Sequence, residues 1–140
     1  MQDKKILMVD DDPEELMLIE EALFDLGKKI HFEENGIEAL NYLDQCEQLP
    51  CLIVLDLNMP KLNGTETLVR LKSDDRFKDI TVVIYSTSIN ALEKEKCMKL
   101  GASSYIMKPV SYASTITTAR YLADLCVMGE DGQEKQTEYK

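Results

Sequence analysis

The sequence predicts an α/β domain: five βα units in series, building a doubly wound, five-stranded parallel sheet with helices on both faces. Three observations predict it. Short apolar runs read as buried parallel strands. They alternate along the chain with segments of helical periodicity. Charged residues end the runs: Ile6-Leu7-Met8-Val9 meets Asp10-Asp11-Asp12, Leu52-Ile53-Val54-Leu55 meets Asp56, and Tyr105-Ile106-Met107 meets Lys108-Pro109. In a parallel sheet the C-terminal strand ends share one edge, where ligands of open α/β sheets bind.

The first strand is predicted over 4–9. Asp12 has the character of a helix N-cap, with Pro13 at the first helical position and Glu15 three residues after the cap. Leu16, Ile19, Leu23 and Leu26 follow at helical spacing, and Gly27 ends that helix. Residues 29–33 make a short polar strand near the sheet edge, holding the single histidine, His31. Asn35-Gly36 opens a second helix with Ile37, Leu40 and Leu43 on its apolar side. Cys51 to Leu55 is the most apolar strand and belongs at the centre of the sheet. The turn-rich Met59-Pro60-Lys61-Leu62-Asn63-Gly64 precedes a helix carrying Leu68 and Leu71. Thr81 to Tyr85, β-branched and aromatic, is the fourth strand. A fourth helix, about 90–100, has a weak apolar stripe crowded by lysines, so it faces solvent, and Gly101 suits its left-handed cap. Residues 104–107 form the last strand. About 112–127 form the last helix, with Ile116, Ala119, Ala123 and Cys126 inward.

Composition narrows the function. The chain is long enough for one hydrophobic core, so residues 1–128 are expected to form one domain and the polar, aperiodic 129–140 a disordered tail. A formal net charge of −10 argues against DNA or anionic-membrane partners. With no membrane-length apolar run and no secretory leader pattern, a cytoplasmic location is expected. The four cysteines (46, 51, 97 and 126) form no CxxC pair and read as reduced packing residues.

The strand-end charges carry the chemistry. Acids crowded at one edge repel one another unless a cation sits among them. Magnesium prefers one or two carboxylates completed by waters and phosphate oxygens. Phosphoryl transfer needs an in-line nucleophile, such a metal, and positive charge at the equatorial oxygens. Asp11 and Asp56 suit direct ligation of Mg2+, with Asp10 acting through a water and the backbone carbonyl of Asn58 completing the protein ligands. Lys108 and the Ser86 hydroxyl suit the phosphoryl oxygens.

Over about residues 4–127 the chain resembles the receiver domain of response regulators in two-component signal transduction. An acidic pair follows the first strand (Asp10, Asp11), an aspartate the third (Asp56), a hydroxyl residue the fourth (Ser86) and Lys-Pro the fifth (Lys108, Pro109). The intervals of 30 residues from Asp56 to Ser86 and 22 from Ser86 to Lys108 agree, as does Asp56-Leu57-Asn58-Met59-Pro60 with Gly64 beyond it. Asp12-Pro13 and Asn58 resemble the stand-alone receivers paired with bacterial phytochrome-type sensor kinases. The resemblance implies a flavodoxin-like fold with strand order 2-1-3-4-5. It implies that Asp56 takes a phosphoryl group from a sensor histidine kinase or histidine phosphotransfer protein. Ser86 and Tyr105 would then act as the switch, and the Lys108–Pro109 bond would be cis. Such a protein is a signalling switch with self-catalysed phosphorylation and dephosphorylation, not a metabolic enzyme. Its output would reach an unidentified downstream protein through the face of the fourth helix, fifth strand and fifth helix. Tyr121, Leu122 and Leu125 motivate a homodimer through that face.

Three other readings fit less well. A dehalogenase-type phosphatase could use Asp10-Asp11-Asp12 but leaves Asp56 unexplained. A flavodoxin needs a phosphate loop where this chain has three aspartates. An unphosphorylated interaction module does not require the intact acids and lysine.

Overall fold

The computed structural model describes residues 4–59, 61–87 and 89–130. Pro60 and residues 131–140, which include most of the expected tail, lie outside the described residues, as does the side chain of Glu15. Five strands, β1 (Ile6–Val9), β2 (Ile30–Glu33), β3 (Leu52–Asp56), β4 (Thr81–Ser86) and β5 (Ser104–Met107), alternate with five helices. The helices are α1 (Pro13–Asp25), α2 (Gly36–Gln45), α3 (Gly64–Ser73), α4 (Ala91–Lys99) and α5 (Tyr112–Glu130). The strands form one parallel sheet in the order β2-β1-β3-β4-β5, as expected.

Strand composition explains the order. β1, β3 and β4 are buried at every position and occupy the interior of the sheet, whereas the more polar β2 is half-buried along its length at one edge. Successive residues point to opposite faces. Ile6, Met8, Leu52, Val54, Val83, Tyr85 and Ile106 pack with Leu16, Ile19 and Leu23 of α1 and Ala119, Leu122 and Leu125 of α5. Leu7, Val9, Ile53, Leu55, Val82, Ile84 and Tyr105 pack on the other face with α2, α3 and α4. A sheet apolar on both sides therefore needs helices on both sides, and the four crossover helices together with α5 supply them.

Caps set the helix starts. Asp12 accepts from the Glu14 N–H (3.1 Å), Asn35 from Glu38 (2.9 Å) and Asn90 from Leu92 and Glu93 (both 3.0 Å). Asn63 and Glu66 form a reciprocal capping box at α3. Gly27 and Gly101 follow α1 and α4 with φ of +80° and +111°, a left-handed backbone open to glycine without a Cβ penalty.

Four expectations are corrected. α5 runs to Glu130 rather than ending near Val127, so residues 129 and 130 continue the helix and do not begin the tail. Its buried stripe includes Leu122 (0% exposed) and Leu125 (2%), and the Tyr121 hydroxyl donates to Ser104 Oγ at 2.8 Å. These residues face the sheet, which removes the motive for a homodimer built on them. On α2 the buried face is Gly36, Ala39 and Leu43, while Ile37 is exposed, because the helix is rotated to bring its smallest residues onto its neighbours. Finally, Cys51 and Cys126 are joined as a disulfide with Cα atoms 5.0 Å apart. They were read as reduced packing thiols because they form no CxxC pair, and 75 residues divide them in sequence. The fold brings the start of β3 against the end of α5.

Leu122→Ala is expected to lower stability by about 3 kcal/mol through the cavity it leaves in the core. Urea unfolding measures this, and a loss below about 1 kcal/mol would place the residue outside the core. A Cβ on Gly64 would meet the backbone of Asp56 and Leu57, with Leu57 Cα 2.6 Å away. Gly64→Ala is therefore expected to cost about 2 kcal/mol or more and to displace the loop behind Asp56. A wild-type unfolding midpoint in that variant would contradict the close approach.

Candidate functional site

Because all five strands run the same way, Asp10, Asp56, Ser86 and Lys108 come together at one edge of the sheet. The Lys108 N–H donates to the Ser86 carbonyl (2.6 Å), which fixes the ends of β4 and β5 side by side. α1 lies on one face of the sheet and α2 on the other, so β1 and β3 flank the point where successive crossovers change sides. Open α/β sheets have a crevice at such a point. Ligand atoms of Asp10, Asp11 and Asp56 all lie within 4.8 Å of one another there.

The three acids differ in environment. Asp10 is 1% and Asp56 5% exposed, whereas Asp11 is open to solvent. Asp10 Oδ1 accepts from the Asp12 N–H (3.0 Å), which orients its carboxylate, and Asp12 itself serves as the cap of α1. The Lys108 ammonium reaches inward to Asp10 Oδ2 at 2.8 Å and Asp56 Oδ1 at 3.7 Å. Its nitrogen lies 5.8 Å from the centre of the buried Tyr85 ring. Burial first, and then the charge of Asp10, push the pKa of Asp56 up, to about 6 on balance. Lys108 and the N–H of Asn58, 3.4 Å from Asp56 Oδ1, oppose it, and Asp11 adds a smaller upward push. One lysine thus leaves excess negative charge among three carboxylates. The donors are all hard oxygens, a set suited to a small divalent cation such as magnesium or manganese rather than to zinc.

Ser86 is 3% exposed at the end of β4, and Tyr105 is 4% exposed on β5. The Tyr105 hydroxyl donates to Glu93 Oε1 of α4 at 3.1 Å. Burial raises the phenol pKa, the hydrogen bond with the Ser86 side chain opposes the rise, and that with Glu93 adds to it. A chain of side chains therefore runs from Ser86 at the acidic edge through Tyr105 to the first turn of α4. Glu93 was missed in the sequence, where it belongs to a row of charges read as a solvated face. The position of Asn90 as the cap of α4 would have placed Glu93 in the first turn, but not against Tyr105.

One expected feature differs. The Lys108–Pro109 peptide is not cis; no peptide bond among the described residues is. An X-Pro bond prefers trans by only about 0.5–1 kcal/mol, so sequence alone does not fix the isomer. Asn58 is exposed, and its N–H faces Asp56 Oδ1 at 3.4 Å.

Comparison with known proteins agrees with this geometry. The family model described as "Response regulator receiver domain" matches residues 6–120. The chemotaxis protein CheY1 of Helicobacter pylori is 36% identical over 106 residues, covering 75% of this chain and 85% of that protein. The phosphorylated cyanobacterial phytochrome response regulator RcpA superposes with a TM-score of 0.81 at 33% identity, over 90% of this chain and 95% of that one. The Mn2+-bound response regulator Rcp1 gives a TM-score of 0.77 at 27% identity, over 86% and 92%. With the family model spanning most of the chain and the acids gathered at the switch point of the sheet, this protein belongs to the response regulator receiver domain family.

Proposed function

We propose that Asp56 is the phosphoryl acceptor of a Mg2+-dependent switch, and that the observation carrying this is its buried place in an acidic cluster beside Lys108. Attack by a carboxylate oxygen on the phosphorus of a phosphohistidine forms the P–O bond. The P–N bond breaks, and its electron pair goes to the imidazole. The donor is a sensor histidine kinase or histidine phosphotransfer protein, and the cell compartment is the cytoplasm. Asp11, Asp56 and the carbonyl of Asn58 would hold the metal, with Asp10 reaching it through a water. When bound, Mg2+ neutralises charge on the phosphoryl oxygens and orients them for in-line transfer.

The remaining roles belong to the chain's own residues. Lys108 exchanges part of its pairing with Asp10 and Asp56 for a phosphoryl oxygen, and Ser86 donates its hydroxyl to another. Movement of Ser86 alters its hydrogen bond with Tyr105, and so the contact of Tyr105 with Glu93. Phosphorylation thereby shifts the population of α4 positions, because the phosphoryl group binds one arrangement of Ser86 better than the other. The output is a changed α4–β5–α5 face presented to a downstream protein. The same Asp56 chemistry allows hydrolysis back to the carboxylate without a second enzyme.

Intact-mass spectrometry after incubation with acetyl phosphate tests the acceptor. The wild type with Mg2+ is expected to gain one phosphoryl group, and neither wild type in EDTA nor Asp56→Asn should do so. Equal labelling of Asp56→Asn would overturn the assignment.

A second test uses pH. The folded pKa of Asp56, about 6, lies above its unfolded value near 3.8, so the native state holds the proton more tightly. Stability of the metal-free protein is expected to fall as pH rises from about 4 to about 6 and then to level off, a loss of about 2 kcal/mol from this group. Asp56→Asn should recover most of that loss above pH 6, and Mg2+ should recover it in the wild type. Thermal unfolding across this pH range checks the sign. Stability rising through the interval in wild type relative to Asp56→Asn would contradict the crowding argument.

A further inference from the structure

Cys51 and Cys126 take no part in the acidic site. Cys51 immediately precedes β3 and is 3% exposed, and Cys126 lies near the end of α5 and is fully buried. Their Cα separation of 5.0 Å falls inside the range of about 4.4–6.8 Å that a disulfide spans. Both belong to the cluster that packs α1 and α5 on the sheet. The bond closes a loop of chain containing Asp56, Ser86, Tyr105 and Lys108. The other two cysteines, Cys46 and Cys97, are thiols. Burial raises the pKa of both.

We propose that Cys51 and Cys126 are a peroxide-responsive redox pair, whose disulfide staples α5 to the start of β3 and makes the stability of the domain depend on thiol state. One thiolate attacks an oxygen of the peroxide. The O–O bond breaks, a sulfenic acid forms, and the departing hydroxide leaves as water with the thiol's proton. The second thiolate attacks the sulfenic sulfur, the S–S bond forms, the S–O bond breaks, and a second water leaves. Two electrons pass from the sulfurs to the peroxide, which becomes two waters. A dithiol reverses the change by exchange.

The location gives the bond its leverage. α5 is held to β5 by the hydrogen bond from Tyr121 to Ser104, and the disulfide adds a covalent tie five residues further along the helix. Because both sulfurs are buried, reaction waits on local opening of the last turns of α5, which makes it slow and selective for a small oxidant. The pair works independently of the phosphoryl chemistry of Asp56.

The test uses the full chain, reduced with dithiothreitol, desalted, treated with hydrogen peroxide, then denatured and alkylated with iodoacetamide. Before peroxide all four cysteines should be alkylated. Afterwards only Cys46 and Cys97 should be, and a proteolytic digest should contain one peptide linking Cys51 to Cys126. A fall in Tm of about 10 °C or more on reduction is expected from the length of the closed loop. Cys126→Ala should abolish this response, with Cys51→Ala serving if the first variant does not fold. Four alkylated cysteines after peroxide, over-oxidised single cysteines without the linked peptide, or an unchanged Tm on reduction would overturn the proposal. The alkylation readout on wild type needs neither variant.

Discussion

Like charges held at close range in a buried crevice are the constraint on which the rest of this structure turns. Asp10 and Asp56 are withdrawn from water, and with Asp11 their ligand atoms fit within 4.8 Å. In isolation such a cluster would spread apart or take up protons. It is held because each acid is attached to the end of a strand whose remaining residues are in the core. Moving Asp56 away from Asp10 would mean pulling Leu55 and Val54 out of their packing. Lys108 offsets part of the repulsion, and the raised pKa of Asp56 records the part that remains.

Parallel topology makes this arrangement available. Strands that all run one way deliver all their C-terminal residues to one edge, whereas an antiparallel sheet would divide them between two. Residues far apart in sequence, such as Asp10 and Lys108, then come within a hydrogen-bond length. The same topology places Ser86 and Tyr105 on adjacent strands, one at the acidic edge and one beneath α4. A change at the acids therefore has a short physical path to the helix surface. α4 suits the receiving end of that path, since among its residues only Cys97 is buried. A helix with so small a buried face is held weakly and shifts at low cost.

The apolar residues left open to solvent lie partly around that end of the path. Ile89, Leu92, Met107, Val110 and Tyr112, in and beside α4, β5 and α5, are all more than 40% exposed. The apolar residues first noticed on the last helix, Leu122 and Leu125, are instead core. A nineteen-residue helix on a sheet buries one stripe, and periodicity alone did not separate that stripe from its neighbours. What decided it was the docking of α5 against α1 as well as against the strands, which widens its buried face.

The sequence by itself determined the alternation of strands and helices, the central place of β3, the caps at Asp12 and Asn35, and the residues at the acidic edge. These are legible because they follow from local rules: apolar runs, cap chemistry, and charge at the end of a run. The identity of Asp10, Asp11, Asp56, Ser86 and Lys108 as one group was also legible, through the resemblance to receiver domains that their intervals carry. Only tertiary structure decided which residues meet across those intervals. The bond from Cys51 to Cys126, the contact of Tyr105 with Glu93 and the rotation of α2 onto Ala39 all depend on how helices settle on the sheet. Their physical reason is shared. Each is a side-chain contact between elements distant in sequence, set by the packing of whole faces rather than by any pattern within one segment.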